Sequence, residues 1–267
     1  MPAPRIGARE LGLSINWRYV FVPPGSMLEP RTDAIALDVG GALCHGVLDQ
    51  HQDGSLGACT SELLMRYPEH CYGHLLNPWL SRRDDGQDIT GRVFSPAVIL
   101  HEEPDFDCLV TSYLAKCLIE TGEFPAYAHA LVGYASRVDQ GKYRVNLGET
   151  ATATFPVHMG YLALQSRRGE PVPAQRFERN LRLGEAMLRT VIAALGEARN
   201  NCPWDIRASD FENVIATRAV VPSPDVAPQA SRSSLPPCAA WRADPACQPE
   251  VQMLDADLAL YLQDKDL

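Results

Sequence analysis

The chain has 267 residues, of which 46% are hydrophobic and 21% are charged, and its formal net charge is −9. This length and composition predict a globular protein with one large domain, or with one domain and an appendage. The negative charge argues against a protein whose main role is to hold long nucleic acid, because such binding needs many cationic contacts to phosphates.

No apolar run approaches the roughly 20 residues that a membrane helix requires, and the N-terminus lacks the apolar region of a signal peptide. The eight cysteines include no Cys-x-x-Cys pair, so a zinc ribbon is not expected. We expect a cytoplasmic protein of bacterial type that makes no membrane contact, with its cysteines reduced. The cysteines in apolar surroundings, predicted to be buried thiols, are Cys44, Cys59, Cys108 and Cys117.

The first half of the chain alternates short apolar runs with helical patterns. Apolar runs that end in turn residues such as Pro23-Pro24-Gly25 indicate strands. The predicted strands are Ile15–Val22, Asp33–Val39 and Val98–Leu100. The predicted helices are Thr60–Tyr67 with Thr60 or Ser61 as N-cap, Asp107–Glu120, and Ala126–Val138 with Gly141 as the stop signal. This alternation indicates an α/β fold with a doubly wound, mostly parallel sheet.

The remaining segments give weaker or different signals. Leu75–Thr90 is polar and suggests an irregular loop. Asn180–Arg199 has the apolar periodicity of an amphipathic helix. We therefore divide the chain into an α/β core at residues 1–145, a helical or mixed extension at 146–220, a Pro/Ser/Ala-rich linker or tail at 221–250, and a short acidic amphipathic segment at 251–267. The tail is a candidate binding site for a protein partner.

Four separate segments end a predicted element with a carboxylate or an imidazole. Parallel strands deliver their carboxyl ends to one edge of a sheet, so these groups can converge on a pair of divalent cations. Oxygen-rich ligation with some imidazole favours Mn²⁺ or Mg²⁺. The residues concerned are Asp38, the Asp49/His51 pair, the His101/Asp105/Asp107 group and Asp139. Taken separately, Asp38 and Asp139 can also be turn residues, and Asp105 and Asp107 can also cap a helix.

These motifs resemble the DHH phosphoesterase superfamily. The stretch His101-x-x-Pro104-Asp105-x-Asp107 is similar to the first motif of that superfamily, and Asp38-Val39-Gly40-Gly41 with Asp49-Gln50-His51-Gln52 is similar to the DVGG…DHHQ pair of one branch. Arg137-Val138-Asp139-Gln140-Gly141 looks like the later aspartate motif of that branch. The resemblance covers roughly residues 30–145.

The resemblance implies a two-metal phosphohydrolase, in which an activated hydroxide attacks the phosphorus of a small phosphorylated or nucleotide-like substrate. His101 and Asp105 would hold one metal, Asp107 and Asp139 the other, and Asp38 would bridge both. Asp49 would orient the neighbouring imidazole, and His51 would face the substrate phosphate. Short single-stranded nucleic acid is a further candidate substrate.

The chain departs from the family pattern in two respects. Gln50 stands where the family has its first histidine, normally a metal ligand, and the His101 motif follows the Asp49 motif instead of preceding it. His45 is a candidate replacement for the missing ligand. A catalytically impaired relative that serves as a binding module is therefore the alternative prediction. A nucleotide binder without chemistry is a third and weaker one, since the chain has no GxGxxG or Walker loop.

Overall fold

The computed structural model describes residues 5–51, 59–102, 104–140, 174–198 and 206–211. The chain divides into two compact units. The first comprises residues 1–102 and 107–140, and the second comprises residues 103–106 and 141–267. The predicted linker at 221–250 and the acidic segment at 251–267 lie outside the described residues, as does the predicted stop at Gly141.

The described residues form seven strands and five α-helices. The strands are β1 (Ser14–Ile15), β2 (Arg18–Val22), β3 (Ala34–Leu37), β4 (Leu43–Cys44), β5 (Val47–Leu48), β6 (Val93–Phe94) and β7 (Ala97–His101). The helices are α1 (Thr60–Arg66), α2 (Tyr72–Asp84), α3 (Phe106–Thr121), α4 (Ala128–Asp139) and α5 (Ala174–Ala198), and a 3-10 turn covers Pro68–His70. None of these helices combines the length and apolar character needed to cross a lipid bilayer.

The main sheet of the first unit has five strands in the order β2-β7-β3-β5-β4. The pairs β2–β7, β7–β3 and β3–β5 are parallel, and the edge strand β4 is antiparallel to β5. The strands β1 and β6 form a separate parallel pair. The prediction of an α/β protein with a mostly parallel sheet is therefore confirmed.

The centre of the sheet is buried on both faces, as parallel sheets usually are. All four residues of β3 and all five of β7 are buried. One face of the sheet packs into a cluster of small and branched side chains: Ala34, Ala36, Val39, Val47, Ala97 and Ile99. This packing fixes the register of the strands, and with it the height at which each strand ends.

Two predicted elements differ from the observed ones. The predicted strand Ile15–Val22 is two strands, because the chain leaves β1 at Asn16 and enters β2 at Arg18. The prediction of an irregular segment at Leu75–Thr90 is wrong for its first part, which belongs to α2. Pro78 lies inside this helix and removes one backbone donor, but Leu75 and Leu76 are buried and hold the helix in place.

The helix α5 belongs to the second unit and agrees with the predicted amphipathic pattern. The segment predicted at Asn180–Arg199 is helical and begins earlier, at Ala174. Its buried apolar side chains include Leu181, Leu188, Val191 and Leu195.

Candidate metal centre

Three neighbouring parallel strands end in polar residues at one edge of the main sheet. His101 is the last residue of β7, Asp38 directly follows β3, and Asp49 directly follows β5. The backbone amide of Asp38 still donates to the carbonyl of Leu48 at 2.8 Å, so β3 and β5 stay paired up to this point. The carboxyl edge of a parallel sheet is where open α/β folds bind ligands.

The Asp38 carboxylate is the centre of the arrangement and is only 4% exposed. Its Oδ2 lies 3.2 Å from Nε2 of His101, and its Oδ1 lies 3.7 Å from Nδ1 of His51. The hydroxyl of Thr60 donates to Oδ1 at 2.9 Å. Burial by itself would raise the pKa of Asp38, but the hydrogen bond and the charge of His101, with smaller contributions from His51 and Thr60, lower it below its usual value.

Asp49 orients His51 and also closes the turn after β3. Its Oδ1 accepts from the His51 backbone amide at 2.9 Å and lies 2.8 Å from Nδ1 of the same residue, while Oδ2 accepts from the Gly41 amide at 2.8 Å. These hydrogen bonds outweigh the opposing effect of burial and lower the pKa of Asp49. The hydrogen bond to Asp49 raises the pKa of His51 to about 9 against the effect of partial burial, and the charges of Asp38, Asp49 and Asp139 add to the rise.

Gln50 is buried and belongs to the same network. The hydroxyl of Thr60 lies within hydrogen-bonding distance of both the Gln50 amide oxygen and Asp38 Oδ1. Because Thr60 has a single hydroxyl proton, it donates to one of these acceptors at a time. The residue at the position of the missing histidine thus has an amide where a metal ligand would need an imidazole.

Asp107 binds the start of α1. Its Oδ2 accepts from the Thr60 amide at 2.6 Å, and its Oδ1 accepts from the Ser61 amide at 3.2 Å and from the Thr111 hydroxyl at 3.3 Å. The N-cap position of α1 is Cys59, which makes no side-chain capping bond, so the prediction of Thr60 or Ser61 as N-cap is wrong. Asp107 supplies the cap from α3 instead.

Asp105 and Asp139 complete the predicted ligand set. Asp105 directly precedes α3 in the short segment that groups with the second unit, so it is described with that unit. Asp139 is the last residue of α4 and is exposed; its charge reaches His51, whose pKa it helps to raise. The metal-binding roles of both residues stay predictions.

The sequence analysis missed Cys108 as a candidate ligand. This residue is fully buried, as predicted, but its sulfur lies 3.1 Å from Nε2 of His101 and 3.3 Å from Oδ2 of Asp38. The available signal was its position directly after Asp107 in the His101 motif. The candidate replacement ligand His45 is exposed, and its ring packs edge-on against His70 with centroids 4.8 Å apart.

Two groups of possible ligand atoms therefore meet at Asp38. One contains Asp38, His101 and Cys108, and the other contains Asp38, Asp49 and His51; within each group the ligand atoms lie within 4.8 Å of one another. Buried carboxylate, imidazole and sulfur atoms that converge in this way have the chemistry of a divalent cation site. Comparison with known proteins adds no relative, since no family model, curated protein or solved structure matches the chain.

Proposed function

We propose that this protein is a divalent-metal-dependent phosphoesterase that acts on a small phosphorylated or nucleotide-like substrate. The position of Asp38 carries the proposal, because its two carboxylate oxygens face different groups. Oδ2 faces His101, and Oδ1 faces His51. A carboxylate shared in this way is what a pair of cations about 3.5–4 Å apart requires.

The donor set supports divalent cations in general and is consistent with the motif resemblance. On the Asp49 side the donors are two carboxylates and one imidazole, which suit Mn²⁺ or Mg²⁺. A doubly wound, DHH-like arrangement of the first unit is part of the same proposal. Asp107 is not needed as a ligand, since both of its carboxylate oxygens already accept hydrogen bonds.

Bound divalent cations supply the Lewis acidity that activates water and neutralises phosphate charge. The residues of the chain position the reactants. The side chain of His51 is 65% exposed at the rim of the site, and Asp49 holds its ring from below, so His51 can donate to a phosphate oxygen of the substrate. The net charge of −9 favours a compact substrate or a short single strand over a long duplex.

Replacement of the shared carboxylate tests the proposal. We expect Asp38→Asn to lower Mn²⁺ affinity and the hydrolysis of a model phosphodiester by at least about 100-fold, because the shared anionic ligand is lost. Isothermal titration calorimetry with Mn²⁺ and assays with bis(p-nitrophenyl) phosphate measure the two effects. The matched control is Asp33→Asn, which changes an exposed carboxylate at the other end of the same strand.

The control should bind Mn²⁺ and hydrolyse the substrate as the unmodified protein does. If the unmodified protein binds no divalent cation, or if Asp38→Asn binds Mn²⁺ as tightly as Asp33→Asn, the proposed function is wrong.

Gln50 favours one alternative function, that of a catalytically impaired relative that binds a phosphorylated ligand or a partner protein. Its buried amide lies at Thr60, where an imidazole ligand is expected from the motif resemblance. Under this alternative the unmodified protein has no measurable turnover, and Gln50→His raises Mn²⁺ affinity by about tenfold or more, because imidazole is a much better ligand than an amide. Phosphodiester turnover by the unmodified protein at a typical enzymatic rate of about 1 s⁻¹ or more rules the alternative out.

A further inference from the structure

Cys108 places a sulfur atom against the two residues that hold one side of the site. Three donor atoms form a nearly equilateral triangle: Sγ of Cys108 and Nε2 of His101 are 3.1 Å apart, Sγ and Oδ2 of Asp38 are 3.3 Å apart, and Nε2 and Oδ2 are 3.2 Å apart. All three residues are buried, with Cys108 fully so. A thiol, an imidazole and a carboxylate therefore converge on one point.

We propose that Cys108 is a thiolate ligand of the cation held by Asp38 and His101, and that this position takes a thiophilic divalent cation such as Zn²⁺ in preference to Mg²⁺ or Mn²⁺. On binding, the S–H bond breaks, its proton leaves to solvent and a sulfur–metal bond forms, with no change of oxidation state. The inference rests on the proposed function only in taking Asp38 and His101 as metal ligands.

The size of the triangle fits this assignment. Tetrahedral zinc with nitrogen at about 2.0 Å and thiolate sulfur at about 2.3 Å holds these two atoms about 3.5 Å apart. The observed distance between Nε2 and Sγ is 3.1 Å, so the ligands need to separate by only a few tenths of an ångström. The three atoms correspond to one face of a tetrahedron.

The charge of the site also fits a cation at this position. The ion pairs of Asp38 in the described part of the chain are with the imidazoles of His51 and His101, not with lysine or arginine. A carboxylate, a thiolate and a neutral imidazole together balance a dication, which compensates the burial of both anions. Soft thiolate ligands select zinc-like cations, whereas Mg²⁺ and Mn²⁺ prefer oxygen.

Two other buried cysteines provide matched controls. The sulfur of Cys59 lies 3.1 Å from the Ser61 hydroxyl, and Cys71 is fully buried at the start of α2. Both are in the first unit, and neither belongs to a group of possible ligand atoms in the described residues. Replacement of either cysteine by serine therefore removes a buried thiol without removing a proposed ligand.

Cobalt(II), which substitutes for zinc and has visible and near-ultraviolet absorption, tests the proposal on the full-length chain. We expect one equivalent of Co²⁺ to produce the intense near-ultraviolet charge-transfer band of thiolate ligation. Cys108→Ser should lose this band and bind Zn²⁺ about 100-fold or more weakly, because a neutral hydroxyl replaces a thiolate. Cys71→Ser and Cys59→Ser should keep the band.

Zinc-edge X-ray absorption of the unmodified protein gives a second test that does not depend on the folding of any variant. We expect one sulfur scatterer at about 2.3 Å from zinc. A zinc shell without sulfur overturns the proposal, and so does a Co²⁺ charge-transfer band that persists in folded Cys108→Ser.

The outcome is separable from that of the proposed function. Loss of the sulfur signal in a protein that still hydrolyses phosphodiesters with Mn²⁺ contradicts the thiolate ligand alone. A Cys108-dependent cobalt band in a protein that hydrolyses no phosphodiester with any divalent cation supports the thiolate ligand and contradicts the phosphoesterase.

Discussion

Asp38 combines a strained backbone with a buried, multiply contacted side chain. Its φ of 63° is the only positive value at a non-glycine residue in the described ranges. Aspartate and asparagine tolerate this left-handed conformation better than other residues, but it still costs on the order of 1 kcal/mol. The conformation turns the chain sharply after β3 and keeps the carboxylate between His101 and His51. Asn is thus the appropriate replacement for a test, since it keeps the backbone tolerance and removes only the charge.

The pKa of His51 is predicted to depend mainly on Asp49. In the metal-free protein we expect His51 to titrate near pH 9. In Asp49→Asn its pKa should fall towards the ordinary value of about 6.5, because the carboxylate that stabilises the imidazolium is lost. Asp139→Asn should lower the pKa less, since its charge makes a smaller contribution. NMR titration of the histidine ring protons measures all three values.

The same shift predicts the sign of a stability change with pH. The folded protein holds the His51 proton more tightly than the unfolded chain does, so this stabilisation is complete below about pH 6.5 and is lost as the pH rises through about 9. Urea unfolding of the metal-free protein across this range should show a smaller decrease in Asp49→Asn than in the unmodified protein. An equal decrease in both proteins would contradict the assignment.

At the scale of elements, the start of α1 depends on a residue from α3. Asp107 accepts two amides of α1, and its carboxylate is 2% exposed. A short helix with no capping side chain of its own gains most from such a partner, because its first amides are otherwise unsatisfied. The contact brings Thr60, whose hydroxyl donates to Asp38, up to the metal centre.

Removal of this cap is expected to destabilise the protein whether or not metal is present. Asp107→Ala should lower the free energy of unfolding by about 2–4 kcal/mol, since it loses a charged cap and leaves buried amides without acceptors. Asp88→Ala removes an exposed carboxylate that accepts only the Thr90 amide, and should cost less than about 0.5 kcal/mol. Urea unfolding in the presence of a chelator measures both changes. A loss for Asp107→Ala that occurs only with metal present would identify Asp107 as a ligand rather than a cap.

For the whole molecule, acidic residues exceed basic ones, with 33 Asp and Glu against 24 Lys and Arg. Buried carboxylates that meet at one edge of the sheet add local repulsion to this balance. A bound dication offsets that repulsion, so metal binding and folding of the first unit should be coupled.

This coupling predicts that divalent cations stabilise the folded protein. At a free Mn²⁺ or Zn²⁺ concentration 100 times the Kd, the first unit should gain about 2.7 kcal/mol, because the ion binds the folded chain only. Thermal unfolding with and without metal measures this as a rise in the melting temperature. Asp38→Asn should abolish the rise and Asp33→Asn should keep it. Equal melting temperatures with and without metal in the unmodified protein would contradict the coupling.

The sequence determined the local features of this protein. Apolar runs and turn residues located the buried strands β3 and β7 and the helices α1, α3 and α4 to within a few residues. The same patterns put His101, Asp38 and Asp49 at strand ends. These features depend on residues that are neighbours along the chain, so their signals survive without knowledge of the fold.

Only the tertiary structure decided which of these side chains touch. The contact between Cys108 and Asp38 joins residues 70 positions apart, and the bond from the Thr60 amide to Asp107 joins residues 47 apart. The helix α2 was missed for a related reason, since its Asn77-Pro78 pair signals a turn locally while buried contacts of Leu75 and Leu76 hold the helix. Strand order and packing set such long-range contacts, and both are properties of the assembled core rather than of any short segment.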